Sequence, residues 1–89
     1  MKLRFSPESV QDLQCLHDFI AKYDPDSART VVLNLKSAVT RLAEMPRMGK
    51  PLEEVKGARE FVFGRYVLRY VIKEEILYLL RVWHSKEQR

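Results

Sequence analysis

The chain has 89 residues, 46% of them hydrophobic, with sixteen basic and twelve acidic side chains and a net charge of +4. That length bounds it to one domain with a single small core. No apolar run approaches the roughly 20 residues of a membrane span, the first residues lack the apolar stretch of a secretion signal, and one cysteine excludes an internal disulfide. These features lead us to expect a cytoplasmic protein with no membrane role. Residues 1–45 carry six basic and six acidic groups, whereas residues 46–89 carry ten and six, so the whole excess sits in the second half. Such asymmetry fits either a polyanionic partner or a solvated basic surface.

Leu3 and Phe5 alternate with Lys2 and Arg4 as in a short strand. Ser6-Pro7-Glu8 is a helix start, with Ser6 as N-cap, Pro7 at the first helical position and an acid in the first turn. Val10, Leu13, Leu16, Phe19, Ile20 and Tyr23 follow at helical spacing, and Phe19 and Tyr23 are expected in the core. Cys15 is expected to pack as a small apolar residue of this helix, and His17 to lie on its surface. Asp24-Pro25-Asp26 closes this helix and caps a second one. The second helix is expected to bury Ala28, Val31, Val32, Leu35, Val39, Leu42 and Met45 before stopping at Pro46. The two helices form an antiparallel hairpin.

Residues 46–57, with two prolines, two glycines and three basic residues, read as a long loop. Strands are expected at about 59–63, 65–73 and 76–83, with Lys73-Glu74-Glu75 as the last turn. On the middle run Tyr66, Leu68, Tyr70 and Ile72 share one face, and Arg65, Val67, Arg69 and Val71 the other. The last run is apolar on both faces, as in a central strand: Leu77, Leu79, Arg81 and Trp83 on one, Ile76, Tyr78, Leu80 and Val82 on the other. The order β-α-α-β-β-β is that of an α+β fold. Its helix hairpin packs on one face of a twisted, mainly antiparallel sheet. The opposite face is expected to expose Val67, Val71, Leu77, Leu79 and Trp83 among arginines, an apolar patch large enough to need a partner.

This order resembles the RelE/ParE superfamily of toxins from bacterial type II toxin–antitoxin modules, as do three stretches of sequence. They are Gly57-Ala58-Arg59-Glu60, Tyr66-Val67-Leu68-Arg69-Tyr70 and Leu80-Arg81-Val82-Trp83-His84. The resemblance implies a growth-inhibiting toxin neutralised by a cognate antitoxin, acidic with apolar anchors, lying on the open face or along the sheet edge and helix hairpin. It has two branches, and fold alone does not choose between them. ParE-like members poison DNA gyrase; RelE-like members cut mRNA on the ribosome.

Metal-free RNA cleavage needs a proton acceptor, charge on the phosphorane and a proton donor. The resemblance to the ribonuclease branch makes His84 the candidate acid or base and Arg81 its catalytic companion. Arg65 and Arg69 are further phosphate clamps, with Lys50, Lys56 and Lys86 as auxiliary charge. As a partner or nucleic-acid surface, the set becomes Arg59, Arg65, Arg69, Arg81, Trp83 and Lys86. Each has a structural alternative. Arg59 can fix the loop-to-strand corner, Arg65 can be merely exposed, and Arg69 and Arg81 can pair with Glu60 or another acid. His84 can order the C-terminal tail. Strict alternation would put it on the face opposite Arg81 and Trp83, and the tail Ser85-Lys86-Glu87-Gln88-Arg89 lacks the aromatic that such ribonucleases stack on a base. These two points favour the gyrase-directed branch. A non-toxic nucleic-acid-binding relative is a third reading. No metal-ligand spacing and no phosphate-cradling glycine loop occur, so no cofactor is expected.

Overall fold

The computed structural model describes residues 1–86. Strand β1 (Lys2–Phe5) leads into α1 (Pro7–Ala21) and α2 (Pro25–Glu44). A 3-10 turn (Pro46–Met48) and the two-residue strand β2 (Lys50–Pro51) follow. Then come β3 (Ala58–Phe63), β4 (Tyr66–Lys73) and β5 (Ile76–His84). The sheet order is β1-β5-β4-β3-β2, with β1 parallel to β5 and all other pairs antiparallel.

Local chemistry sets both helix starts. Ser6 Oγ accepts the Ser9 N–H at 2.9 Å, and Asp24 accepts the N–H groups of Asp26 and Ser27, each ahead of a proline at the first helical position. The Ser27 hydroxyl also donates to Asp24 and, as the largest cause, holds the Asp24 carboxyl below its ordinary range. The turn between β3 and β4 places Gly64 at φ 60°, where a glycine costs nothing. The turn between β4 and β5 instead holds Glu74 and Glu75 at φ 53° and 61°. Two adjacent side-chain-bearing residues thus occupy a region that glycine and asparagine favour.

The core lies between the helix hairpin and one sheet face. Leu13, Leu35, Ala38, Val39 and Leu42 meet Leu68, Tyr70, Leu77, Leu79 and Val82 there. Several expectations need correction. Met45 is the C-cap of α2 and 57% exposed, because the chain has left the helix when it reaches Pro46. Phe19 and Tyr23, expected in the core, are 62% and 79% exposed and stack edge-to-face on each other at 5.9 Å. Phe19 sits in the last turns of α1 and Tyr23 on the turn after it, both outside the core cluster. Cys15 is likewise exposed. The stretch 46–57 contains a 3-10 turn and a short strand because Lys50 and Pro51 pair with Glu60 and Arg59.

The expected apolar patch on the open face also dissolves. Arg69 is opposite Arg81, yet Tyr70 is opposite Leu79, so Leu80 is an extra residue on β5. This bulge shifts the alternation by one. Leu77 and Leu79 therefore face the helices, fully buried, while Trp83 stays on the open side opposite Val67.

Candidate functional site

Beyond Leu79 strand β5 has no strand on its outer side, since β1 pairs only with Ile76 to Leu79. The first turns of α1 take over that edge. The Ser6 N–H donates to the Leu79 carbonyl at 2.9 Å, and Ser6 Oγ donates to the Leu80 carbonyl at 2.8 Å. Asp12 then accepts the Val82 N–H at 2.9 Å and the Arg81 guanidinium at 2.8 and 3.0 Å. The Asp12 side chain is 8% exposed and that of Arg81 37%. Hydrogen bonding to Asp12, then its charge, raises the Arg81 pKa, so the pair is a fixed ion pair. Arg81 thus serves the junction between α1 and β5.

Arg69 lies on the open face. Its Nε donates to Glu60 Oε2 at 2.7 Å, and its guanidinium covers the Trp83 ring with 5.0 Å between the Arg69 carbon and the ring centroid. Trp83 is thereby buried although it faces away from the helices. Arg59 Nη1 donates to the Gly49 carbonyl at 2.6 Å. That carbonyl belongs to a second lock, in which the Tyr70 hydroxyl donates to the Pro46 carbonyl at 2.6 Å and accepts the Gly49 N–H at 2.9 Å. Burial, the largest cause, pushes the Tyr70 pKa above its ordinary value. Arg65 is exposed on the turn between β3 and β4, its carbonyl accepting the Ser85 N–H at 2.7 Å. Lys86 is exposed after β5; residues 87–89 of the same tail lie outside the described residues.

His84 stands opposite Tyr66, and the two rings meet edge-on at 5.4 Å. The Lys86 N–H reaches His84 Nδ1 at 3.1 Å, so the neutral ring carries its proton on Nε2. Its neighbours Tyr66 and Val82 place it on the helix side of the sheet. There it borders a groove of about 690 Å³ with Asp12, Cys15, Leu16, Phe19, Ile20, Tyr66 and Val82. Apart from the Asp12 carboxylate, His84 and the Tyr66 hydroxyl the lining is apolar, and Phe19 stands exposed on its rim. The structure therefore brings Arg69 and Trp83 together on one sheet face, and places His84 on the other. Among the described residues no group of three or more His, Cys, Asp or Glu side chains can hold a metal. No helix there is long and apolar enough to cross a membrane.

Asp12 is the residue that the sequence reading passed over. Its signal was a polar stripe, Ser6, Ser9 and Asp12, repeating every three residues beside the apolar stripe of α1. Ser9 is fully buried, as its position in that stripe demands.

Similarity to known proteins identifies the family. The family described as "ParE toxin of type II toxin-antitoxin system, parDE" matches residues 3–89. Y4kP of Sinorhizobium fredii is 33% identical over 89 residues, covering 98% of this chain and 91% of that protein. Toxin RelE2 of Caulobacter vibrioides is 30% identical over 77 residues, covering 86% of each chain. Among solved structures, the chromosomal ParDE system of P. aeruginosa superposes with a TM-score of 0.82 at 21% identity, covering 97% of both chains. The RelBE2 toxin–antitoxin complex of Mycobacterium tuberculosis gives 0.70 at 28% identity, covering 93% of this chain and 95% of that one. With the helix hairpin, the five-stranded sheet and nearly the full length matched, the chain belongs to the ParE toxin family of type II toxin–antitoxin systems.

Proposed function

We propose that this toxin arrests growth by poisoning DNA gyrase through its surface, without chemistry of its own, and that a cognate antitoxin neutralises it. The observation that carries the reading is the dispersal of the ribonuclease candidates. Arg69 is held by Glu60 on the open face, Arg81 is neutralised by Asp12, and Arg59 is spent on the Gly49 carbonyl. His84 stands on the opposite sheet face from Arg69, so among the described residues no guanidinium pair and imidazole converge on one phosphate. The match over residues 3–89 to the ParE family supports the same branch. Solved relatives that are toxin–antitoxin complexes support the antitoxin. The groove between α1 and the end of β5 suits its apolar side chains, with Phe19 on the rim.

The ribosome-dependent endoribonuclease is the second reading, supported by 30% identity to a protein named Toxin RelE2. The two readings part at His84. An imidazole acting as acid or base contributes about 10²-fold or more to a rate. Under the surface-poison reading, His84→Gln arrests growth on induction as fully as the wild type, measured as colony survival at matched protein level. Survival restored by a folded His84→Gln variant, together with loss of mRNA cleavage, would establish the ribonuclease instead. Charge reversal at Arg81 is a poor discriminator, because it sets two carboxylates against each other at the Asp12 junction.

A further inference from the structure

The open sheet face carries a second set of cations. Leu3 packs with the core, so Lys2 and Arg4 point to the other side of β1. By the same alternation, Arg69 and Lys73 lie on the open side of β4, alternating with the buried Leu68 and Tyr70 and the partly buried Ile72 that face the helices. Lys50 on β2 is opposite Glu60, in the row that continues to Arg69. Lys2, Arg4, Lys50 and Lys73 are exposed, and no salt bridge among the described residues reaches any of them. Among the described strand residues Glu60 is the one acid on the face, and it is taken by Arg69. Glu74 and Glu75 stand on the turn at one end, beside Lys73; Arg4 is opposite Tyr78, and Lys50 is opposite Glu60, whose carboxylate is held by Arg69.

From this we infer that the open face binds the phosphate backbone of duplex DNA, with Arg4, Lys50, Arg69 and Lys73 as its contacts. Charge selects a polyanion: duplex DNA presents one negative charge per ~1.7 Å of axis. Spacing selects the duplex over a single strand. Arg4 and Lys50 lie on the two outer strands of the sheet, four inter-strand steps or ~19 Å apart. Long side chains starting from that separation reach the two phosphate strands that border a groove about 12 Å wide. A single strand would need one track of cations and several stacking rings, yet Trp83 is buried under Arg69 and, among the described residues, only the half-buried Tyr78 remains on this face. The contact is therefore with the backbone and indifferent to base sequence. It is independent of gyrase as the target, and would add a DNA foothold to any enzyme complex that the toxin joins.

The test is fluorescence anisotropy of a labelled 20-base-pair duplex titrated with the purified full chain between about 50 and 200 mM salt. Wild-type protein is expected to bind two unrelated duplexes equally, with affinity falling as salt rises. Arg4→Gln/Lys50→Gln should lower affinity about tenfold or more at the low-salt end and reduce the log–log salt slope by roughly 2. Arg4→Gln/Lys73→Gln gives a second pair that shares Arg4 and exchanges Lys50 for Lys73, and Lys36→Gln on the exposed side of α2 should change nothing. Absence of binding at low salt, or unchanged binding by both folded double variants, would overturn the assignment. So would a tenfold preference for single-stranded RNA. Tighter capture of polyglutamate than of duplex would hand the face to an acidic protein segment.

Discussion

Asp12→Ala is expected to destabilise the fold by about 3 kcal/mol, the loss of a buried carboxylate with charge-assisted bonds. In a domain of this size that is a drop in melting temperature of more than ~10 °C. The reasoning rests on what the carboxylate serves. Its partners are the buried Val82 N–H and the Arg81 guanidinium. The guanidinium, more than a third exposed, can turn to water when its partner goes. The Val82 N–H cannot, since Val82 is 1% exposed and the strand that would pair with it ends at Phe5. Asp12→Asn keeps an oxygen for that N–H and should lose about half as much. Urea denaturation of the three proteins measures the series. An Asp12→Ala loss under about 1 kcal/mol would mean that the α1–β5 junction is not held by this residue.

The second large effect is expected at the lock between Tyr70 and the 46–49 segment. Tyr70 is fully buried and its hydroxyl satisfies both a carbonyl and an N–H of that segment. Tyr70→Phe leaves both without a partner and should cost about 1–3 kcal/mol. Gly49→Ala attacks the same contact from the other side: a Cβ there would sit 2.8 Å from Tyr70 Cε1 and still nearer its Oη. Overpacking of that kind costs about 1–3 kcal/mol. The two changes share one contact, so the double variant should lose less than the sum. A pH signature separates this hydroxyl from generic packing. Burial raises the folded pKa of Tyr70, so the folded state keeps the proton where the unfolded chain, with an ordinary value near 10, releases it. That contribution is complete below about pH 10 and is lost as the pH rises through the folded value. Wild type should therefore lose stability relative to Tyr70→Phe above that pH. A constant gap between the two across the alkaline range would contradict the lock.

The helix hairpin was legible because caps and prolines announce themselves locally. Ser6-Pro7 and Asp24-Pro25 need no tertiary context to start a helix, and the apolar spacing of Leu35, Val39 and Leu42 marks a buried stripe. The pairing of Arg69 with Glu60 was also readable, since a half-buried arginine on a strand needs an anion nearby. Periodicity failed where the backbone departs from ideal alternation. The extra residue at Leu80 leaves no mark in a run as uniformly apolar as Ile76 to Leu80, yet it moves Leu77 and Leu79 under the helices. Phe19 and Tyr23 follow the helical period faithfully, but the period alone does not mark which turns the core covers. Lys2 and Arg4 were visible as alternating cations. Their place on the same sheet face as Arg69 and Lys50 depends on β1 joining the far side of β5, a parallel pairing between the first strand and the last.

The central claim is a protein-surface poison of gyrase, and a supercoiling and cleavage assay with purified toxin and gyrase tests it most directly. Loss of ATP-dependent supercoiling with accumulation of cleaved DNA, unchanged in the His84→Gln variant, is the predicted result. Folded toxin that leaves supercoiling intact while mRNA is cut on translating ribosomes would contradict it.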